Sequence, residues 1–440
     1  MTDQTRRPVP VPSGRLTRLA RLGSLGAGVA GRMAVDGALQ LGQGRRPVMR
    51  DLLLTPRNVT RVTQQLAQMR GAAMKVGQLV SMDTGDVLPP ELAQIMARLR
   101  ADADFMPPAQ LKRVLQANWP KGWLKSFQRF DVHPIAAASI GQVHRATLKD
   151  GTELAIKVQY PGVARSIDSD VTNVGALIRM SGLLPSGFDL GPYLEQAKAQ
   201  LHDETDYALE GRHLARFGLL LGGDARFEVP RLVRDWTTEN ILAMTFSPGA
   251  EIETVADAPQ AVRDDVVHRL LDLTLRELFH FGVMQTDPNF ANYRWDPQTG
   301  RVVLLDFGAT LDIAPRTQEL YRRLLRAGLA GQAAEAERVA EEMGLLVPDM
   351  DPGFRARLLA MMETGFAALR RPGLFDFASD PLSKILAAEG EALARDGFVP
   401  PPVPMDILYL QRKMGGMTLL AARLRARVSV ADLITPYLAA

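Results

Sequence analysis

Two periodicities divide this chain. Apolar residues three and four positions apart mark Val62, Leu66, Met69, Ala73, Val76 and Val80 as one face of an amphipathic helix over Arg57 to Met82. The same period predicts helices over Gly191 to Leu221, Val266 to Val283, Ile313 to Leu345, Phe354 to Leu369 and Met405 to Ala426, the last after the break at Pro400 to Pro404. A different texture begins at Phe127. Two apolar runs, one ending near Leu148 and one reaching Val158, flank the turn Lys149-Asp150-Gly151 and predict a hairpin. Ile241 to Phe246 reads as a short buried strand. RVVLL at Arg301 to Leu305 follows the turn-like Asp296 to Gly300, which predicts a second hairpin ending in a buried strand. The pattern is that of an α+β protein, strand-bearing first and mostly helical later. The expected divisions are an arm at 1–50, a helical extension at 51–126, a sheet-bearing part at 127–246 and a helical part at 247–440.

Composition adds two constraints. The 440 residues are 46% hydrophobic and include no cysteine, which excludes disulfides, thiolate metal sites and cysteine nucleophiles. The net charge of +3 hides an asymmetry. Residues 1–50 hold nine arginines against Asp3 and Asp36, a surplus of seven, so the remaining 390 residues sum to −4. That placement favours an anionic membrane surface as the arm's partner and argues against a nucleic-acid-binding body. The arm's Gly/Ala-rich centre, Gly23 to Gly31, is too short to span a bilayer, and no apolar run in the chain predicts a transmembrane helix. A segment lying on a lipid surface and a mobile basic tail both fit it.

The candidate chemistry lies in MQTDPNFANYRWDPQTGRVVLLDFGAT, Met284 to Thr310. Asp287 and Asn292 have the Asp-x-x-x-x-Asn spacing of a kinase catalytic loop, and Asp306-Phe307-Gly308 matches its metal-binding triplet. Mg²⁺ takes hard oxygen ligands and one or two carboxylates, so Asn292 and Asp306 suffice as the protein's share and Asp287 is left to align or deprotonate a nucleophile. Upstream, Gly-x-Gly-x-x-Gly-x-Val maps onto Ala136, Ala138, Gly141 and Val143 with alanine in the first two glycine positions. The added methyl groups restrict the backbone, which predicts a nucleotide clamp of altered geometry. Lys157 follows with an apolar stem and an ammonium expected to be exposed toward phosphates, and Glu210 is its candidate partner. Asp206 and Glu210 would share a face of one continuous helix from Gly191 to Leu221, whereas Glu204 would point elsewhere. Lys75 and Gln78, three apart, read on their own as an exposed polar pair.

Assembled, these residues resemble the UbiB family of atypical protein-kinase-like proteins, in its coenzyme Q biosynthesis branch. The resemblance runs over roughly residues 60–430 and rests on KVGQ (Lys75 to Gln78), AAASIGQVH (Ala136 to His144), AIKVQYPGV (Ala155 to Val163), ETDYALE (Glu204 to Glu210), QTDPNFAN (Gln285 to Asn292) and LLDFGAT (Leu304 to Thr310). It implies a two-lobe kinase-like fold with a family-specific helical extension. It also implies that Lys75 and Gln78 lie over the cleft and meet Glu204 and Asp206, which disfavours protein phosphorylation, and that Ala136, Ala137, Ala138 and Ser139 border the nucleotide. The cofactors implied are ATP or ADP with Mg²⁺. The implied function is an ATPase supporting ubiquinone biosynthesis, with membrane lipids, quinone-like phenolics and other biosynthetic enzymes as partners. A small-molecule or lipid kinase and a nucleotide-gated scaffold are the alternatives. The 43 arginines against nine lysines suggest a bacterial source, and with it a cytoplasmic protein held peripherally at the inner membrane.

Overall fold

In the computed structural model the described residues are 69, 71–73, 75–76, 105–138, 140–181, 190–401 and 403–438. The basic arm, Gln78, Ser139 and most of the Arg57 to Met82 stretch therefore lie outside them. The chain forms two compact units, one drawn from residues up to Gly211 together with Leu232–Phe246, the other from Arg212–Arg231 together with Ser247 onward.

The first unit is built on a sheet of β1 (Phe127–Phe130), β2 (Ala136–Ala137), β3 (Gly141–Leu148), β4 (Glu153–Gln159) and β6 (Ile241–Thr245), in the order β1-β3-β4-β6 with β2 paired to β3. The predicted hairpin is present: β3 and β4 are antiparallel, Gly151 takes the left-handed conformation at φ 87°, and Asp150 Oδ1 accepts from Thr152 N. Strand alternation then sorts β4 into two faces. Leu154, Ile156 and Val158 are fully buried in a cluster with Leu111, Leu115 and Trp119 of helix α1 (Pro108–Asn118) and its flank. Lys157 is put on the opposite face. Rings of Trp119, Trp123, Phe127, Phe130 and Trp236 pack edge-to-face and stacked beside that core. Helices α2 (Val163–Ser181) and α3 (Gly191–Thr205) pack together, and α4 (Tyr207–Leu221) follows.

One expectation fails here. Gly191 to Leu221 is two helices, because Asp206 leaves helical geometry (φ −91°, ψ 85°) and its Oδ1 accepts from Leu209 N as a cap for α4. Ser, Thr, Asn and Asp compete with the helical backbone in this way.

The second unit contains β5 (Phe227–Glu228), β7 (Ala250–Glu251), β9 (Tyr293–Asp296) and β10 (Arg301–Leu304) in one sheet, and β8 (Val283–Gln285) paired with β11 (Thr310–Asp312). The second predicted hairpin is β9–β10, with Val302 and Val303 fully buried. Helix α5 (Gln260–Arg276) ends in a π-helical turn, Glu277–Phe281, closed by Gly282 at φ 61°. Instead of one helix from Ile313 to Leu345 there are two, α6 (Pro315–Leu329) and α7 (Ala333–Glu342), because Gly331 takes φ 69° and ends the first. Then come α8 (Pro352–Arg370), a short strand β12 (Phe375–Asp376), α9 (Leu382–Arg395), α10 (Met405–Arg423), β13 (Arg427–Val428) and α11 (Val430–Leu438). Among the described residues no helix is long and apolar enough to cross a membrane.

Candidate functional site

In the first unit the candidate residues gather on the Lys157 face of β4. Register places Lys157 between Val143 of β3 and Leu242 of β6, in mid-sheet, where neighbouring strands exclude water. Its Nζ donates to both carboxylate oxygens of Glu210, at 2.8 and 2.9 Å, and stands 5.1 Å from the Tyr207 ring centre. At 8% exposure for Lys157 and 3% for Glu210 this is a buried pair, so the exposed ammonium expected from sequence is corrected. A lysine in mid-sheet cannot snorkel to water, so it is held by its carboxylate.

The capping of α4 by Asp206 sets the phase that brings Glu210 under Lys157. The same break frees Glu204 from the constraint of one continuous helix: Lys75 Nζ donates to its Oε1 at 2.5 Å, and Lys75 is buried. Lys75 is therefore no exposed surface residue. Gln159 Nε2 reaches Thr205 O at 2.8 Å and ties β4 to this corner.

The first two alanines of the loop form a strand. Ala136 and Ala137 pair with Val143 and Gln142, and Ala138 N donates to Gly141 O at 2.8 Å. Gly141 is required by space: a Cβ there would stand 2.5 Å from Val158 O and 2.7 Å from Tyr207 Oη. Behind it runs a chain of hydrogen bonds that sequence reasoning did not use. Met106 N donates to Gln142 Oε1, which leaves Gln142 Nε2 to donate to His144 Nε2, while His144 Nδ1–H donates to Asp131 O. Each partner fixes the next, so the imidazole is neutral. Burial pushes it down to about 4, against the smaller upward pull of Asp131.

In the second unit two β-ladders bring Asp287, Asn292 and Asp306 together. Pairing of Tyr293 with Leu304 continues one step further, where Leu305 N donates to Asn292 O, so Asn292 sits at the end of the hairpin that leads into Asp306. Pairing of Gln285 with Thr310 likewise continues as Thr286 N to Ala309 O, which sets Asp287 across from the residues after Asp306. Local bonds hold the loop between. Asn289 Oδ1 accepts from Ala291 N, and Asn292 Nδ2 donates to Asp287 O at 3.2 Å and Oδ2 at 3.4 Å. Asp306 Oδ1 accepts from Gly308 N, and Phe307 is buried against Phe217 with ring centres 4.7 Å apart. His213 Nδ1 lies 3.2 Å from Phe307 O, and burial lowers its pKa.

The donor set suits a hard divalent cation. With Nδ2 turned to Asp287, Asn292 presents an amide oxygen, and Asp306 contributes a carboxylate. Among the described residues no group of three His, Asp or Glu side chains could hold a metal alone, so a bound ion would draw most of its ligands from phosphate and water. That is the usual Mg²⁺ arrangement in phosphotransfer sites.

Sequence reasoning predicted helix α10 but not its contacts with the Asp287 loop. Arg412 Nη2 donates to Asp287 Oδ1 at 3.2 Å, and the neighbouring Lys413 donates to Gln285 Oε1 at 2.9 Å and Tyr293 Oη at 2.7 Å. Glu277, from the π-helical turn, lies 3.9 Å from Lys413; burial pushes it up to about 7 despite that lysine. Burial acts to lower Lys413, but Tyr293 and Glu277 more than offset it and its pKa is raised. The available signal was periodicity: Lys413 falls on the buried stripe of Leu410, Met417 and Leu420.

Residues 98–340 match the ABC1 atypical kinase-like domain. The chain is 36% identical over 427 residues to the mitochondrial atypical kinase COQ8 of Saccharomyces cerevisiae, covering 96% of this chain and 84% of that protein. It is also 36% identical over 444 residues to the mitochondrial atypical kinase COQ8B of Rattus norvegicus, covering 98% and 82%. A solved structure of Rv3197 from Mycobacterium tuberculosis, in complex with erythromycin, is similar in fold, with TM-score 0.60 and 22% identity over 86% of this chain and 95% of that one. The chain belongs to the ABC1 atypical kinase-like family and has its kinase-like α+β fold.

Proposed function

We propose that this protein is a Mg²⁺-dependent ATPase of the atypical kinase type that supports ubiquinone biosynthesis at a membrane surface. The observation that carries this reading is the convergence of Asp287, Asn292 and Asp306 at the shared end of two β-ladders, in a chain whose relatives are named atypical kinases. Lys157, steadied by Glu210, would hold the α- and β-phosphates of ATP. Asn292 and Asp306 would hold Mg²⁺, whose charge would offset that developing on the phosphates. Asp287 would orient water and accept its proton as the oxygen attacks the γ-phosphorus and the bond to the β-phosphate oxygen breaks. Ala136, Ala137 and Ala138 would line the nucleotide with a paired strand instead of a mobile glycine loop, which fits slow, controlled turnover. Anionic lipid headgroups are the expected surface for the arginine-rich arm.

The test is phosphate release by the purified full chain with Mg²⁺-ATP, with and without anionic vesicles, for wild type and Asp306→Asn. Turnover that falls at least about 100-fold in the variant supports the reading. Equal turnover in both overturns it, and transfer of labelled γ-phosphate to a lipid or phenolic acceptor would replace it with a small-molecule kinase.

A further inference from the structure

Three neighbouring positions of α10 meet the loop that carries Asp287. Lys413 hydrogen-bonds Gln285, two residues before Asp287, and Tyr293, one residue after Asn292, so a single ammonium holds both ends of the six-residue span 287–292. Arg412 pairs with Asp287 itself. One turn on, Gly416 faces Pro288 so closely that any Cβ at 416 would overlap the proline ring.

Lys413 is 2% exposed and Glu277, its only carboxylate within 4 Å among the described residues, is 1% exposed. Burying an ammonium this completely is expensive, and apolar residues of similar size usually fill such positions at no loss of stability. Geometry also argues against a simple ion pair. Two of the three N–H donors go to the neutral groups that bracket the loop, while Glu277 stands off at 3.9 Å with its Oε2 lacking a hydrogen-bond partner.

We infer that Lys413 is a positioning residue for phosphoryl transfer: it clamps the two ends of the Asp287 loop, and α10 is thereby part of the catalytic apparatus. This rests on the phosphotransfer reading of Asp287. Fixing both ends of a short loop restricts where its carboxylate and Asn292 can point. A misplacement of about 1 Å in such a group costs about 100-fold in rate.

The test compares wild type, Lys413→Met, and Lys413→Met combined with Glu277→Gln, which removes the buried carboxylate's need for a cation. Three quantities are read on the full chain: kcat and KM for Mg²⁺-ATP, the melting temperature, and amide exchange of residues 286–293. Lys413→Met is expected to lower kcat about 10- to 100-fold with KM changed less than about threefold, and to speed exchange in the loop. The double variant is expected to regain the melting temperature without regaining kcat or loop protection. Recovery of all three together would mean that Lys413 merely balances Glu277, and would overturn the inference. So would unchanged loop exchange in Lys413→Met. Turnover absent already in wild type would count against the ATPase reading, while the exchange measurement would still decide the clamp.

Discussion

Lys157 of the first unit and Lys413 of the second are both buried near a glutamate, and the two are used differently. Lys157 meets both carboxylate oxygens of Glu210, at 2.8 and 2.9 Å, a pair closed over the two oxygens of one glutamate. Lys413 spends two donors on Gln285 and Tyr293 and leaves Glu277 at a distance. A closed pair orients a lysine, whereas a shared lysine orients the segments that share it. The second arrangement suits a loop that must hold Asp287 and Asn292 in place, and the first suits a lysine fixed on a strand.

Mutations should separate the two arrangements. The largest stability effect is expected at the closed pair. Glu210→Ala removes both bonds that Lys157 makes to this buried carboxylate and should destabilise the protein by about 3–5 kcal/mol in denaturant unfolding. Lys413→Met should cost less, about 1–3 kcal/mol, since Glu277 can take up a proton when its cation is lost. A smaller loss from Glu210→Ala than from Lys413→Met would invert the comparison.

The units should also answer pH in opposite directions. His144 has its folded pKa pulled down to about 4 from 6.5, so the stability it contributes is complete above about 6.5 and is lost as pH falls toward 4. Glu277 is raised to about 7 from 4.5, so its contribution is complete below about 4.5 and is lost as pH rises through 7. Lowering pH from 7 to 5 should therefore reduce hydrogen-exchange protection in β3 and β4 and increase it around α10 and β8. His144→Gln should flatten the first slope and Glu277→Gln the second.

The smallest predicted effect belongs to Asp206. Its removal as a cap in Asp206→Ala should cost about 1 kcal/mol, read as a lower melting temperature. The same change loosens the phase of α4 that sets Glu210 beneath Lys157. Asp206→Asn, which keeps a capping oxygen, should retain most of that stability.

The contrast also explains what could be read from the amino-acid order. Both hairpins were legible because Asp150-Gly151 and the Asp296 to Gly300 turn carry their own conformational demands. Lys157 and Glu210 were paired because a lysine set against an apolar run needs a carboxylate partner, yet the depth of the pair was not legible, because burial depends on β6, which flanks β4 and is distant in sequence. The break at Asp206 was hidden by apolar periodicity that continues through it; a capping oxygen overrides helix propensity without leaving a Gly or Pro. Helix α10 was read only as a helix. Its role depends on contacts spanning about 120 residues, and the visible clue was one lysine on an otherwise apolar stripe.

The proposed function stands or falls on Asn292 and Asp306 as the metal end of a nucleotide site. The most direct measurement is Mn²⁺ binding by electron paramagnetic resonance, with ADP present, for wild type, Asn292→Ala and Asp306→Asn. A nucleotide-dependent bound Mn²⁺ signal is expected in wild type, weakened about tenfold or more in Asn292→Ala and lost in Asp306→Asn. Equal nucleotide-dependent binding in all three proteins would contradict it and place the metal elsewhere.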